Sequence, residues 1–389
     1  MFRETPMNPR PFTFSCDAHV VEPLDLYKSN IPAHLHDHTL SVQAEDGFLC
    51  TYIGDKRIYK VPLNIFDHKV GAGTTLGEGS LMKPQGSRDL KKRLADMAQD
   101  GIDAELIFPT VGLMGWRIES AEAAVAHAHV WNDWAWDYFD GLRNAFVPAA
   151  FLPMGNWEDL KAEIRRVLGK GYTALMLPAL PGNGIPGYTD PGWDGVFAMA
   201  AEADATFVIH IATGNAAIKA LGGPGGAIYN YARQMCDAID ATMRLVAGGV
   251  LDRNPKSRVM FAEAGAGWLK PIGERMDEVY FGHAPWVEPK LSRPPSQIVK
   301  DQVYSAFQND VGALDIRREY LNTLVFSSDY PHSEGTFPFT QRVLSEGFAK
   351  IPDLTQAEIA AVLGLNAARI FHISPEKAMQ ETARYGKAA

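Results

Sequence analysis

Eight short runs of apolar, β-branched and aromatic residues recur along the chain, and longer amphipathic stretches separate most of them. The runs are Phe12–Cys16, Ala104–Pro109, Phe146–Leu152, Ala174–Leu177, Phe207–Ile211, Arg258–Ala262, Val303–Phe307 and Leu324–Ser328. The stretches include Arg88–Gln99, Ser120–Leu142, Trp157–Leu168, Asp194–Ala203, Asp237–Ala247 and Gly267–Tyr280. Each is long enough to carry the chain back over a parallel sheet. Eight such units predict an α/β protein folded as a (β/α)8 TIM barrel, with a doubly wound open sheet as the alternative. A barrel with insertions accommodates all 389 residues as one domain, 1–389.

Two segments break the rhythm. Thr39–Tyr52, Gly54-Asp55-Lys56-Arg57 and Ile58–Val61 read as a β-hairpin, and a Gly-rich loop follows from Gly71 to Gly86, so an insertion at residues 36–87 follows the first strand. The second segment, Gly282–Gln297, carries Pro285, Pro289, Pro294 and Pro295 around Trp286. That is too much proline for a helix, and it predicts a loop before the seventh strand that serves as a lid.

Charge and cysteine content narrow the function. The net charge of −9 is spread along the chain and no basic stripe is present, which excludes nucleic acid as an expected partner. No run of apolar residues is long enough to span a bilayer, and Met1–Phe14 lacks the apolar centre of a signal peptide, so no membrane association is expected. Cys16, Cys50 and Cys236 are too few and too scattered for a disulfide framework. Together these features predict a cytoplasmic protein.

In a (β/α)8 barrel the chemistry gathers at the C-terminal ends of the strands. The first run leads into Cys16-Asp17-Ala18-His19, the fifth into Ile209-His210, the sixth into Phe261-Ala262-Glu263 and the eighth into Ser327-Ser328-Asp329. Alternation along a strand turns Asp17 and His19 to the same side. Two imidazoles and two carboxylates form a donor set suited to zinc, manganese or iron rather than to calcium or magnesium alone.

Longer motifs surround these residues: Asp17-Ala18-His19-Val20-Val21-Glu22-Pro23, Phe207-Val208-Ile209-His210, Glu263-Ala264-Gly265-Ala266-Gly267-Trp268-Leu269, Phe326-Ser327-Ser328-Asp329-Tyr330-Pro331-His332-Ser333-Glu334-Gly335 and Gly364-Leu365-Asn366-Ala367-Ala368-Arg369-Ile370-Phe371. On them the chain resembles the amidohydrolase superfamily, in the amidohydrolase-related branch of aminocarboxymuconate-semialdehyde decarboxylase, the resorcylate decarboxylases and 5-carboxyvanillate decarboxylase. The resemblance implies a metal on Asp17, His19, His210 and Asp329, and a homodimer. Two departures stand out: Asp-x-His replaces the His-x-His of many members, and Glu263 stands where the decarboxylases often place a catalytic histidine. Leu175-Met176-Leu177-Pro178-Ala179 also lacks the carboxylated lysine that bridges two metals in dinuclear members. A likeness to a diiron thioesterase of diterpenoid biosynthesis keeps open a second ion bridged by Glu263 or Glu22.

The leading expectation is a hydrolase that attacks an amide, ester, thioester or lactone carbonyl with metal-activated water. Asp329 or Glu263 would be the base, and His332 would donate a proton or bind substrate. The cofactor is one divalent ion or two, zinc in first place and iron or manganese behind it. The alternative is non-oxidative decarboxylation of an aromatic acid, with Arg117 meeting the substrate carboxylate. A third alternative is a barrel that has lost activity and only binds, against which the intact ligand set stands. Trp116, Met114, Trp286, Phe337 and Phe339 in loops predict an apolar or aromatic small-molecule substrate. His127 and His129 are assigned to helix packing, and Asn366 and Arg369 to tying down the last helix.

Overall fold

The computed structural model describes residues 10–62, 85–182, 184–214, 221–332 and 334–386. Its eleven strands are β1 (Phe14–Val20), β2 (Leu40–Glu45), β3 (Phe48–Ile53), β4 (Lys56–Pro62), β5 (Ala104–Pro109), β6 (Phe146–Phe151), β7 (Ala174–Leu177), β8 (Thr206–His210), β9 (Val259–Ala262), β10 (Val303–Phe307) and β11 (Leu324–Phe326). Eight of them form one parallel sheet in the order β1-β5-β6-β7-β8-β9-β10-β11. Every residue of these eight is buried, as expected of strands covered on one side by helices and on the other by the barrel interior.

The last strand returns to the first. Ala18 and Tyr330 form a parallel bridge. His19 N–H donates to the Tyr330 carbonyl at 2.6 Å, and Asp329 N–H donates to the Asp17 carbonyl at 2.9 Å. Beneath them the hydroxyls of Ser15 and Ser328 lie 2.9 Å apart. The sheet is therefore a (β/α)8 barrel.

Around it run α1 (Leu26–Asn30), α2 (Leu90–Asp100), α3 (Ala121–Tyr138), α4 (Trp157–Lys170), α5 (Trp193–Glu202), α6 (Gly226–Ala247), α7 (Val250–Arg253), α8 (Leu269–Gly282) and α9 (Pro295–Gln302), with further helices closing the chain. Local chemistry sets several boundaries. Asp89, Ser120 and Asn156 each accept a backbone N–H of the first turn of α2, α3 and α4, and Gly171 ends α4 at a φ of 107°, open to a residue without Cβ. Among the described residues no helix is long and apolar enough to cross a membrane.

Four expectations change at this level. The first strand does not stop at Cys16 but continues through Asp17 and His19 to Val20, so both side chains belong to the strand itself. Thr39–Tyr52 is two strands, because Asp46 and Gly47 take φ values of 47° and 81° and reverse the chain. Positive φ at both central residues is the geometry of a tight hairpin turn, and β2, β3 and β4 form an antiparallel sheet of three. The Gly-rich run that follows lies outside the described residues up to Gln85. Helix α6 begins at Gly226, well before Asp237, because the glycines from Gly222 to Gly226 mask the start of a helix that continues to Ala247.

The Pro-rich loop is not a lid. It joins α8 to α9, and a helix of the outer ring returns the chain to the side from which the next strand starts, opposite the mouth. Trp286 is 77% exposed there. It borders a cavity of about 440 Å³ walled by Met243, Met276, Val279, Tyr280 and Pro289, outer-ring residues.

Candidate metal centre

Strand β1 delivers Asp17 and His19 to the mouth, fully buried, and β8 ends in His210. His19 Nδ1 lies 3.1 Å from the Pro109 carbonyl and His210 Nδ1 lies 2.8 Å from the Ile211 carbonyl. A carbonyl only accepts, so each Nδ1 carries the hydrogen and each Nε2 presents a lone pair. The two Nε2 atoms nevertheless face each other at 3.1 Å. Burial pushes His19 down to about 3 with the nearby His332 charge adding to the fall, and burial likewise lowers His210, so both rings are neutral.

Two bare lone pairs this close repel unless something positive joins them. Asp17 Oδ1 lies 3.5 Å from His19 Nε2 and 3.8 Å from His210 Nε2, and Asp329 Oδ1 lies 3.8 Å from His19 Nε2. Both oxygens of Asp17 and Oδ2 of Asp329 are buried without a hydrogen-bond partner. Orphaned carboxylates are costly to bury, and burial raises Asp17 to about 7, opposed by His210 and aided by Asp329. Two nitrogens and two carboxylates that lack partners are the donor set of a divalent cation, and the residues fit such an ion.

Ion pairing props the site from below. Arg93 and Glu105, both 1% exposed, meet at 2.6 Å. Arg93 Nη1 also donates to the His19 carbonyl at 2.7 Å. On the mouth side His332 Nδ1 contacts Asp329 Oδ1 at 2.8 Å, and its ring stacks on His19 at 4.3 Å. Burial opposes charge on His332, but the Asp329 carboxylate outweighs it and raises the imidazole to about 9, while burial of Asp329 is outweighed by His332 and that carboxyl stays below its usual range.

Glu263 follows β9 and lies with Oε2 3.5 Å from His210 Nε2. Burial, with Asp329 and Asp17 close by, pushes its carboxyl well up, against His332. Ala212, Glu263 and Asp329, just past the ends of β8, β9 and β11, take φ values of 64°, 57° and 54°. Left-handed backbone at non-glycine residues costs about 1–3 kcal/mol each and collects at functional sites.

The structure thus brings Asp17, His19, His210, Asp329, His332 and Glu263 to one rim. Glu22 is not with them. Its Oε2 accepts the Thr110 and Val111 N–H groups at 3.1 and 3.2 Å, and its Oε1 accepts Gly112 N–H at 2.8 Å and the Tyr27 hydroxyl at 3.2 Å. A carboxylate already holding four donors has no oxygen left for an ion, so Glu22 anchors the loop after β5 rather than binding metal. Trp116 donates its Nε1–H to the Leu152 carbonyl at 3.0 Å and stacks on Phe151, while its neighbours Leu113, Met114 and Arg117 line the mouth. His127 packs against Tyr27 and Phe151.

The mouth is a cavity of about 260 Å³ that joins His210, Glu263 and His332 to Arg117 past the apolar Leu113, Met114 and Ile211. Sequence reasoning missed four of its polar residues. Tyr59 comes from the inserted sheet, and Asn230, Tyr231 and Gln234 come from the early turns of α6. It also missed Glu334, which groups with Glu263 and Asp329. An acidic residue in the same loop as Asp329 was the available signal for Glu334; the others left none.

Residues 16–373 match the sequence profile described as Amidohydrolase. The chain belongs to the amidohydrolase family. No curated protein matches it by sequence. Among solved structures, an amidohydrolase from Mycobacterium avium subsp. paratuberculosis K-10 is 19% identical, with a TM-score of 0.76 over 94% of this chain and 99% of that one. A 5-carboxyvanillate decarboxylase from Sphingomonas paucimobilis is 20% identical, with a TM-score of 0.65 over 94% and 100%. A dihydroxybenzoic acid decarboxylase from Polaromonas sp. JS666, solved with manganese and 2-nitroresorcinol, is 14% identical, with a TM-score of 0.62 over 93% and 97%. At these identities the likeness is one of fold.

Proposed function

We propose that this amidohydrolase-family chain is a metal-dependent lyase that removes the carboxyl group of a small aromatic acid without redox change. The observation that carries this reading is the mouth cavity, where the candidate metal rim and Arg117, the one lysine or arginine among its described lining residues, share one largely apolar space. The names of two structural neighbours, decarboxylases of hydroxylated benzoic acids, support the same chemistry.

Asp17, His19, His210 and Asp329 would hold a divalent cation, which supplies positive charge to polarise a substrate oxygen. Arg117 draws the anionic substrate into the mouth, and Leu113, Met114 and Ile211 exclude water from its ring. The bond to the carboxyl carbon breaks, its electron pair stays on the ring carbon, and carbon dioxide leaves. His332, protonated at neutral pH through its contact with Asp329, gives that ring carbon a proton.

Hydrolysis remains the second reading, favoured by Glu263, whose carboxyl lies 3.5 Å from His210 and could act as a general base once a bound cation offsets the burial that holds it protonated. One experiment separates the two. Protein loaded with Mn2+ is given a panel of hydroxybenzoic acids and, separately, aryl esters, amides and lactones. Decarboxylation predicts carbon dioxide release that a chelator abolishes and that His332→Gln lowers by about 10²-fold or more. Turnover of the carbonyl panel alone would establish hydrolysis instead, and full activity after exhaustive chelation would sink both.

A further inference from the structure

A cavity of about 290 Å³ opens at the end of the barrel opposite the metal rim. Its walls include Arg143, Phe146 and Tyr172, which lead into β6 and β7, Trp136 near the end of α3, and Phe371 at the end of the helix Asn366–Phe371. The parallel strands of a barrel all run towards the mouth. The place where β6 begins is therefore a strand's length from the mouth, about 20 Å for its 6 residues.

Arg143 gives this cavity its character. Its guanidinium carbon lies 3.3 Å from the centre of the Trp136 ring, and its Nη2 donates to the Trp136 carbonyl. Its Nε is buried without a hydrogen-bond partner. The ion-pair partner, Asp140 at 3.5 Å, is 85% exposed, whereas the Arg143 side chain is 25% exposed. A carboxylate bathed in water compensates a largely buried cation weakly, and burial holds the guanidinium below its usual range. No aspartate or glutamate stands among the described lining residues. Other polar groups of the wall are already engaged: the Tyr172 hydroxyl donates to the Asn132 carbonyl at 2.5 Å, and the Thr173 hydroxyl to the Phe371 carbonyl at 3.2 Å. What they leave to the cavity is ring surface, with the Trp136 and Tyr172 rings 4.7 Å apart.

We propose that this cavity is a binding site for a small aromatic carboxylate, whose charged group meets Arg143 and whose ring packs against Trp136 and Tyr172. A carboxylate supplies the missing counter-charge through charge-assisted hydrogen bonds, the strong kind. The aromatic body follows from the walls, since rings pack favourably on rings. One ring is also what the volume suits, because pockets for drug-sized ligands begin at about 300 Å³. Phosphate fits less well: it brings more charge than one arginine balances and no surface for the rings to cover. The site stands apart from the metal rim and does not depend on the reaction proposed there.

The test titrates ion-free full-length protein with benzoate in a calorimeter. Wild type should bind benzoate at a site that survives Arg117→Leu in the mouth. Arg143→Met should weaken that site about tenfold or more, the loss expected of a charge-assisted hydrogen bond. Acetate, with the same charge and no ring, should bind about tenfold or more weaker than benzoate. The thermal midpoint checks the fold of Arg143→Met. Should that variant not fold, Ile373→Trp, which fills the cavity and leaves the guanidinium in place, should give the same loss. Benzoate held as tightly by both cavity variants as by wild type overturns the site, and so does binding that vanishes with Arg117→Leu. Acetate as tight as benzoate overturns the aromatic class. No binding at millimolar benzoate overturns the proposal outright, and none of these outcomes touches the reading of the metal rim.

Discussion

Glu22 separates a ligand from a loop anchor, and its replacement gives a measurable difference. In Glu22→Gln one acceptor oxygen survives and the other becomes an amide NH2. The amide nitrogen can turn toward the Tyr27 hydroxyl, which rotates and accepts. It cannot serve Gly112, whose N–H loses a partner at 2.8 Å. A buried donor left unsatisfied costs about 1–3 kcal/mol, and this is the destabilisation expected. In Glu22→Ala the N–H groups of Thr110, Val111 and Gly112 all lose their acceptor at a site only 2% exposed, so about 3 kcal/mol or more is expected. Urea unfolding of ion-free protein measures the difference, and elemental analysis of the Gln variant should find wild-type metal content. A Gln variant as stable as wild type but depleted in metal would refute the anchoring role and return Glu22 to the ion.

Three further outcomes follow from the same geometry. In ion-free protein burial raises Asp17 to about 7, so an ion must displace a proton to bind; affinity should fall as pH drops below that value and level off above it. Calorimetric titrations one unit either side, in buffers of different ionisation enthalpy, count the proton, and equal affinities would contradict the argument. Arg93→Ala leaves Glu105 unpaired at 1% exposure and should cost about 3–5 kcal/mol by chemical denaturation; a loss well under about 1 kcal/mol would mean the pair is dispensable. Trp286→Ala, 77% exposed on the far side, should leave metal content and turnover unchanged and stability within about 0.5 kcal/mol; a large fall in turnover would revive the lid.

The barrel was legible because its strands are buried on both faces, which makes them continuous apolar runs with ordinary turn residues between. Asp17, His19, His210, Glu263 and Asp329 were legible for a related reason: a charged or imidazole group interrupting such a run has few explanations. Glu22 shows the limit. It sits three residues past His19 and offers the right chemistry, yet the backbone amides of Thr110–Gly112, which claim it, leave no trace in side-chain identity. Trp286 was misplaced because proline content reveals a loop but not which end of the barrel it occupies. The early turns of α6 were hidden by glycines, and with them Tyr231 and Gln234 of the mouth.

The seam where β11 meets β1 has a consequence for how this protein acquires its ion. Ser15 and Ser328 touch across it although 313 positions separate them in the chain. Asp17 and His19 leave the ribosome early, whereas Asp329 emerges only when the barrel is nearly all made. An unfinished chain therefore offers passing metals at most a loose partial chelate, whose preferences follow the intrinsic affinity order of the divalent ions. Only the shut seam would impose a fixed geometry on a bound ion, so discrimination between ions would be deferred until β11 closes against β1.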